Sequence, residues 1–173
     1  GTGIPYYNGN ISSMVWKSGE DDIMRGNHFT YDNLNRLTNA VYGEGSVLVQ
    51  NQNRFNEQVT GYDKMSNILG IKRSGQTSST GYGLIDDLAM SYNGNQLKSV
   101  SDRATNSVYG NGFDFKDGVN KEAEYEYDEN GLLSKEIRRD LTIQYDRDNL
   151  GQVTALQLTK NGEKASVDQI QWS

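Results

Sequence analysis

Few residues of this chain could carry out catalysis. His28 is the only histidine and there is no cysteine, which excludes zinc sites built on several histidines and Cys-His nucleophilic pairs. A Ser-His-Asp triad would have to use His28, but the sequence has no Gly-x-Ser-x-Gly elbow and nothing selects a serine partner. Because His28 directly precedes an apolar strand pattern, we interpret it as a strand-edge or turn residue. We therefore predict no enzymatic activity and no cofactor.

Carboxylates are numerous, yet their spacing does not favour hydrolysis. Asp21–Asp22 and Asp86–Asp87 are adjacent pairs. In an extended chain, neighbouring side chains point to opposite faces, so neither pair alone can aim two carboxyl groups at one glycosidic bond. We interpret both pairs as solvated loop residues that precede strands.

Two segments carry part of a calcium-loop pattern. In Phe113–Glu124 the acidic residues fit later positions of an EF-hand loop, but Phe113 and Phe115 occupy the positions where its first two carboxylate ligands belong. In Asp146–Gly151, Leu150 stands where the third ligand is required. Both segments are predicted to be turns, and we expect no metal site.

Tyrosines are the remaining candidates, because aromatic rings can stack on sugars. Five of them end a strand pattern and are followed at once by Asp or Asn. They could form a binding platform, or each could anchor one hairpin on the next. One ring per unit favours the anchoring role, so Tyr127→Ala should lower the free energy of unfolding by about 3 kcal/mol. Tyr82 lies in a Gly-rich stretch, so Tyr82→Ala should change stability little. The motif residues are Tyr31, Asp32, Leu37, Tyr62, Asp63, Ile68, Tyr92, Asn93, Leu97, Tyr127, Asp128, Gly131, Tyr145 and Asp146.

Short strands must position these tyrosines. Apolar and polar residues alternate before each motif, as at Leu88, Met90 and Tyr92, so the apolar side chains share one face of a half-buried strand. The Asp or Asn that follows can cap a turn, and a nearby Gly or Asn tolerates the positive φ of tight hairpins. Each unit is therefore predicted to be a β-hairpin.

The predicted fold is all-β, an array of antiparallel hairpins that forms a curved or coiled open sheet. Successive motif tyrosines are separated by 18 to 35 residues, and this unevenness predicts insertions at Glu44–Glu57 and Ser74–Asp86. Helix should be limited to one short segment at most, in Gln52–Val59 or Ile85–Ala89.

An open sheet also has two edges, which we predict at Ile11–Trp16 and at Val167–Trp172. Their unpaired N–H and C=O groups predict edge-to-edge self-association. Residues 1–173 are expected to form a single domain that is a fragment of a longer protein.

The motifs resemble the repeats of the RHS/YD-repeat family, whose hallmark is Tyr-Asp-x-x-Gly/Asn-x-Leu. The best matches are Tyr31–Leu37 and Tyr127–Leu133, the copies cover about Tyr7–Leu158, and Tyr92 departs from the pattern because Asn93 follows it. The resemblance implies a β-sheet coiled into a hollow shell, as in bacterial RHS proteins, toxin-complex subunits and teneurins, which are secreted or surface-attached. In bacterial members the shell encloses a C-terminal toxin. The implied partners are therefore the rest of the parent protein and its effector domain.

Charge and hydropathy limit the classes of partner that the chain is expected to bind. The net charge is −6 and the basic residues are scattered, whereas nucleic-acid binding needs a concentrated basic surface. No apolar run is long enough to span a bilayer. We predict a non-catalytic structural segment of a shell that encloses or presents an effector. The alternative is a cell-surface carbohydrate-binding or adhesin module, which would expose coplanar tyrosine or tryptophan rings.

Overall fold

The computed structural model describes residues 8–19, 21–110, 112–113, 115, 119, 121–138 and 141–168. Within these residues there are twelve β-strands and no helix, hence none long and apolar enough to cross a membrane. The strands form two antiparallel sheets, one of seven strands and one of five, and neither is closed. The predicted all-β antiparallel class is confirmed, but two sheets replace the single continuous sheet.

The first sheet contains strands β1 to β7 in chain order, so strands that follow one another in sequence are neighbours. The ladder between β3 and β4 is short, since among the described residues only Asn39 and Ala40 pair, with Gln58 and Glu57. The strands are β1 (Ser13–Lys17), β2 (Met24–Tyr31), β3 (Leu37–Glu44), β4 (Glu57–Tyr62), β5 (Ile68–Gln76), β6 (Tyr82–Asn93) and β7 (Gln96–Asp102).

The second sheet has the order β12-β11-β10-β9-β8, again following the chain. Asn161 and Gly162 join its last two strands with φ values of 50° and 85°, the combination that a two-residue hairpin turn requires. The strands are β8 (Tyr125–Tyr127), β9 (Leu133–Arg138), β10 (Leu141–Arg147), β11 (Val153–Lys160) and β12 (Glu163–Asp168).

The chain forms two compact units, one made of positions 1–89 and 102–115 and the other of positions 90–101 and 116–173. The apolar core of each is small. In the first unit the buried hydrophobic residues are Ala40, Tyr42, Leu48 and Ile85, and in the second, among the described residues, they are Val100 and Val119.

The predicted insertion Glu44–Glu57 is a loop that folds back on the first sheet. Leu48 in this loop is only 1% exposed. Glycines make room for it: a Cβ added at Gly43 would lie 2.1 Å from the Leu48 carbonyl oxygen, and one at Gly26 would lie 2.7 Å from Leu48 Cδ1. The loop therefore contributes its own side chain to the core.

The predicted limit of one short helix is confirmed for the described residues, which contain none. Neither candidate helix segment is helical, and the second predicted insertion is an extended hairpin. Residues 52–55 form turns, and Glu57 already begins β4. The segment Ser74–Asp86 belongs to a long hairpin, since Gln76 pairs with Tyr82 in the ladder of β5 and β6. Ile85–Ala89, the other helix candidate, lies within β6 because these residues continue the same ladder.

The predicted N-terminal edge is confirmed, because β1 is the first strand of its sheet. At the other end, the edge strand β12 begins at Glu163 and overlaps the predicted strand only at Val167 and Asp168. The remainder of that predicted strand, positions 169–172, lies outside the described residues.

Candidate functional site

The Tyr-Asp turns form the candidate site, and their geometry begins with the aspartate. Asp32 Oδ1 accepts hydrogen bonds from the backbone N–H groups of Leu34 and Arg36, both at 2.9 Å. The Asp32 N–H donates to the Arg36 carbonyl at 2.9 Å, and the Asn35 N–H donates to the Asp32 carbonyl at 3.0 Å. Asn35 has a φ of 61°. The side chain thus satisfies two N–H groups that the reversal of the chain leaves unpaired.

Three further turns repeat this arrangement. In each, the aspartate Oδ1 accepts the N–H groups two and four residues later, at 2.8 or 2.9 Å, and the third residue after the aspartate has positive φ. The capping residues are Asp63, Asp128 and Asp148, and the positive-φ residues are Ser66 (68°), Gly131 (79°) and Gly151 (79°).

The last motif lies two residues later than predicted. Asp148, and not Asp146, caps the turn between β10 and β11, because its Oδ1 accepts the two N–H groups. Arg147 occupies the position that tyrosine has in the other capped turns. Asp146 Oδ2 instead accepts Gln157 Nε2 at 3.2 Å. The signal was present in the sequence, since Asp148 and Gly151 have the Asp-x-x-Gly spacing that Asp146 lacks.

Two turns are degenerate. Tyr92 and Asn93 end β6, and a two-residue connection that includes Gly94 (φ 60°) leads to β7, which contains Leu97. Asn8 belongs to a degenerate copy at the start of the predicted array, whose Tyr7 lies outside the described residues. Its Oδ1 accepts the Asn10 N–H at 3.1 Å, as the aspartates do.

The tyrosines of the first two motifs anchor each hairpin to the chain segment before it. Tyr31 Oη donates to the Ile11 carbonyl at 2.8 Å, and Tyr62 Oη donates to the Leu37 carbonyl at 2.6 Å. Leu37 begins β3 and Tyr62 ends β4, so this phenol crosses the junction where backbone pairing is limited to two residue pairs. Burial raises the pKa of Tyr62.

Arg36 ties two consecutive turns together. Its Nε donates to Asp32 Oδ2 at 2.7 Å, and its Nη1 donates to Ser66 Oγ of the next turn at 3.2 Å. The guanidinium carbon lies 4.3 Å from the centre of the Tyr62 ring, within the range of a cation–π contact. Neighbouring hairpins are therefore joined at their turns as well as through their strands.

Replacing Tyr62 with phenylalanine is expected to cost about 1 kcal/mol of unfolding free energy. The ring remains, so the loss isolates the hydrogen bond to the Leu37 carbonyl. Tyr127→Phe is the matched control, because the Tyr127 hydroxyl has no hydrogen-bond partner among the described residues. Urea denaturation of both variants measures the difference. Equal effects would contradict the anchoring role of the Tyr62 hydroxyl.

Acidification is expected to weaken the turns capped by Asp32 and Asp63. The backbone N–H of Arg36 is the main reason why the pKa of the Asp32 carboxyl lies below its ordinary value, and the Asn67 side-chain amide is the main reason for Asp63. Such groups stabilise the fold above the unfolded-state pKa, about 4, and lose that contribution as the pH falls through the lower folded-state pKa. The urea midpoint should therefore fall as the pH drops below about 4.

Asp63→Asn separates this effect from general acid denaturation. The amide oxygen can still accept the two N–H groups, but it does not titrate. The urea midpoint of the variant should therefore fall less steeply between neutral and acidic pH than that of the wild type. A profile identical to the wild type would remove Asp63 as a source of the acid sensitivity.

The remaining predicted residues have separate environments. Tyr145 Oη donates to Oε1 of the buried Glu136 at 2.6 Å, and Arg138 Nη2 donates to Oε2 of the same carboxylate at 2.9 Å. Burial raises the pKa of Tyr145. Ile68 begins β5 directly after the turn of Asp63. The four capping aspartates are structurally equivalent, while the motif tyrosines are not.

A buried carboxylate that the sequence did not indicate lies in the first unit. Glu44 Oε1 accepts Tyr42 Oη at 2.8 Å, and Glu44 Oε2 accepts Asn51 Nδ2 at 2.6 Å. The Asn51 amide holds the pKa of Glu44 below its ordinary value, whereas burial raises the pKa of Tyr42 to about 12. The carboxylate thus stays ionised and fixes the loop that begins at Gly45.

The first acidic pair has its predicted environment, since Asp21 and Asp22 are exposed and lie in the loop before β2, but the second pair and the histidine do not. Asp86 is not solvated: it is 1% exposed and forms an ion pair with Arg73. Asp87 pairs instead with Arg103 at 3.1 Å, so the two carboxylates have separate partners as expected for adjacent strand residues. His28 lies inside β2, where it pairs with Ser13 in the β1 ladder, and is not a strand-edge or turn residue.

Tyr82 also differs from its predicted environment. It begins β6, and its ring meets the Phe55 ring edge to face at 5.3 Å between centres. The guanidinium carbon of Arg54 lies 4.6 Å from the Tyr82 ring centre. Tyr82 is therefore a packing residue and not a loop residue. The structural reason for expecting that its removal matters little is wrong.

Metal ligands are not grouped in the described part of the chain. Among its histidine, aspartate and glutamate side chains, no cluster of three or more could hold an ion. Asp117 and Gly118 of the partial EF-hand pattern lie outside that part.

Comparison with protein-family models finds no match, and comparison with curated proteins finds no similar chain. The likeness to RHS/YD repeats therefore rests on the motif residues themselves.

Proposed function

We propose that the chain is a non-catalytic structural segment of an RHS/YD-repeat shell that encloses or presents a C-terminal effector domain. The observation that supports this is the recurrence of one turn, with the same carboxylate cap at Asp32, Asp63, Asp128 and Asp148. Arg36 adds a contact between consecutive turns. A long wall of hairpins requires such contacts, because each unit must hold its neighbour at a fixed distance.

In this proposal the Tyr-Asp hairpins are the repeat units of one array that continues in a longer parent protein. The parent is secreted or attached to the cell surface. Its neighbouring hairpins cover the outer edges at β1 and β12, which in the isolated chain support edge-to-edge self-association. Ultracentrifugation over a hundredfold range of concentration measures that association.

The decisive experiment uses the full-length protein. Its reading frame should contain further Tyr-Asp-x-x-Gly units followed by a domain of unrelated sequence. Limited trypsin digestion should leave that domain intact, and the double variant Asp32→Ala/Asp63→Ala, which loosens two turns, should expose it to cleavage. A reading frame without further units, or an effector cleaved equally fast in both proteins, would refute the shell.

A carbohydrate-binding or adhesin module is the second candidate, and one feature of the first unit favours it. A cavity of about 470 Å³ is lined by Phe55, Tyr109 and Phe113, which are 43%, 49% and 82% exposed. Exposed aromatic rings beside a cavity are typical of binding surfaces. Loss of binding on a glycan array in Phe113→Ala, with unchanged stability, would support this candidate over the shell.

A further inference from the structure

The turn contacts of the two units allow a direct comparison. Arg36 precedes the first residue of β3, and its Nη1 lies 3.2 Å from Ser66 Oγ, on the third residue after a capping aspartate. Gln96 is the corresponding residue at the start of β7. Its Nε2 lies 3.7 Å from the point that a Cβ on Gly131 would occupy, and Gly131 is again the third residue after a capping aspartate. Gln96 therefore stands where the earlier junction has arginine.

The consequence of this difference is visible at the motif tyrosines. At the earlier junction the Arg36 guanidinium covers the Tyr62 ring at 4.3 Å. At the later one, a cavity of about 530 Å³ opens between β7 and β8 and is lined by both Gln96 and Tyr127. Tyr92, Tyr125, Lys98 and Glu126 complete much of its wall.

Glu124 links β7 to the chain directly before β8. The Glu124 N–H donates to the Lys98 carbonyl at 2.8 Å, and Glu124 Oε2 accepts the Val100 N–H at 3.0 Å. A side-chain oxygen thus replaces a ladder acceptor at this point. The described lining residues of the cavity all belong to the second unit.

The charges around the cavity are compatible with a bound cation. Among the described residues of the lining Lys98 is the only cation, and Glu122 pairs with it at 2.9 Å. Glu126 adds a carboxylate, which accepts a hydrogen bond from Lys135. In the adjacent turn, Asp128 uses Oδ1 for its two caps, while its Oδ2 has no partner among the described residues. At the earlier junction the corresponding oxygen, Asp63 Oδ2, accepts Asn67 Nδ2 at 2.8 Å.

We propose that this cavity binds an arginine side chain of a partner protein, whose guanidinium stacks on Tyr127 as Arg36 stacks on Tyr62. Arginine fits better than lysine because its planar, weakly hydrated guanidinium can stack on a ring face and donate several hydrogen bonds in one plane. The Gln96 amide oxygen is an acceptor in the lining. The net charge of −6 favours approach of a basic segment.

Peptide titration followed by NMR tests the proposal. Acetyl-Gly-Arg-Gly-amide should shift the Tyr127 ring and Gln96 side-chain signals saturably. The citrulline peptide, which has the same shape without charge, should bind at least about fivefold more weakly, as should the lysine peptide. Equal affinity for arginine and citrulline would overturn the proposal. Tighter binding of free arginine than of the peptide would mean that the ligand is the free amino acid and not a side chain of a partner protein.

Two substitutions locate the site. Gln96→Arg supplies the guanidinium from within the chain, so it should abolish peptide binding and raise the unfolding temperature. Gln157→Arg adds the same charge on an exposed part of β11 and should leave binding unchanged. Tyr127→Leu keeps apolar bulk without a π face and should weaken binding at least about fivefold. Peptide binding that survives both Gln96→Arg and Tyr127→Leu would refute this location.

The earlier junction provides a reciprocal test. Arg36→Gln should open the corresponding space beside Tyr62 and lower the unfolding temperature. Millimolar methylguanidinium should then stabilise Arg36→Gln more than it stabilises the wild type, since only the variant has an uncovered Tyr62. Equal stabilisation of both proteins would mean that Arg36 does not occupy a guanidinium site on Tyr62, and the comparison that supports the arginine site at Tyr127 would fail.

Discussion

Arg73→Ala is expected to lower the free energy of unfolding by about 3 to 5 kcal/mol. Asp86 is 1% exposed, and Arg73 is its ion-pair partner. Apart from Arg73, its carboxylate accepts only the Phe115 N–H, at 3.1 Å, among the described residues. Removal of the guanidinium leaves a buried charge without compensation, which costs more than the pair contributes. Urea denaturation followed by tryptophan fluorescence measures the loss.

The adjacent ion pair provides the control. Arg103 pairs with Asp87, the next residue along β6, but its side chain is 61% exposed. The carboxylate that remains, Asp87, is 17% exposed and therefore reached by water, unlike Asp86, so Arg103→Ala should cost less than about 1 kcal/mol. Comparable losses in the two alanine variants would mean that burial of Asp86 does not govern the energetics of this strand.

The local part of the fold could be predicted from sequence. The alternation before Tyr31 and the Asp-x-x-Asn spacing after it predict a strand and a tight turn, because both depend on residues within a few positions of each other. Asn35 has the positive φ that this turn requires. The fifth motif, in which Asp148 caps the turn and Asp146 does not, shows the limit of such patterns. The Tyr145-Asp146 dipeptide matches the motif by letter, but the hydrogen bonds follow the glycine at Gly151.

The long-range part could not be predicted, because it depends on which elements meet. Leu48 lies in a segment without strand periodicity, and its burial depends on the space left by Gly26 and Gly43 on two different strands. The change from one sheet to two occurs near Glu124, whose side chain replaces a ladder hydrogen bond. Neither effect leaves a local signal in the sequence.

The same limit applies to the candidate site. Sequence identifies Tyr62 and Tyr127 as equivalent, since both precede a capping aspartate. Their environments differ because of the residue that the preceding hairpin contributes, Arg36 in one case and Gln96 in the other. The chemistry of a motif residue in a repeat array therefore depends on its neighbour in the array.

Leu48→Ala is expected to destabilise the first unit by about 3 kcal/mol, within the range for truncating a fully buried leucine. The side chain is 1% exposed and fills the space above Gly26, where an added Cβ would lie 2.7 Å from Leu48 Cδ1, so its removal leaves a cavity. Val49→Ala, one residue away, removes two methyl groups from a side chain that is 60% exposed and should change stability by less than about 0.5 kcal/mol. Thermal and urea denaturation measure the loss of stability in each variant, and the two losses are then compared. If Val49→Ala were as damaging as Leu48→Ala, burial of Leu48 would not be what holds the loop 45–56 on the sheet. Gly26 and Gly43 would then not be explained by the space that Leu48 requires.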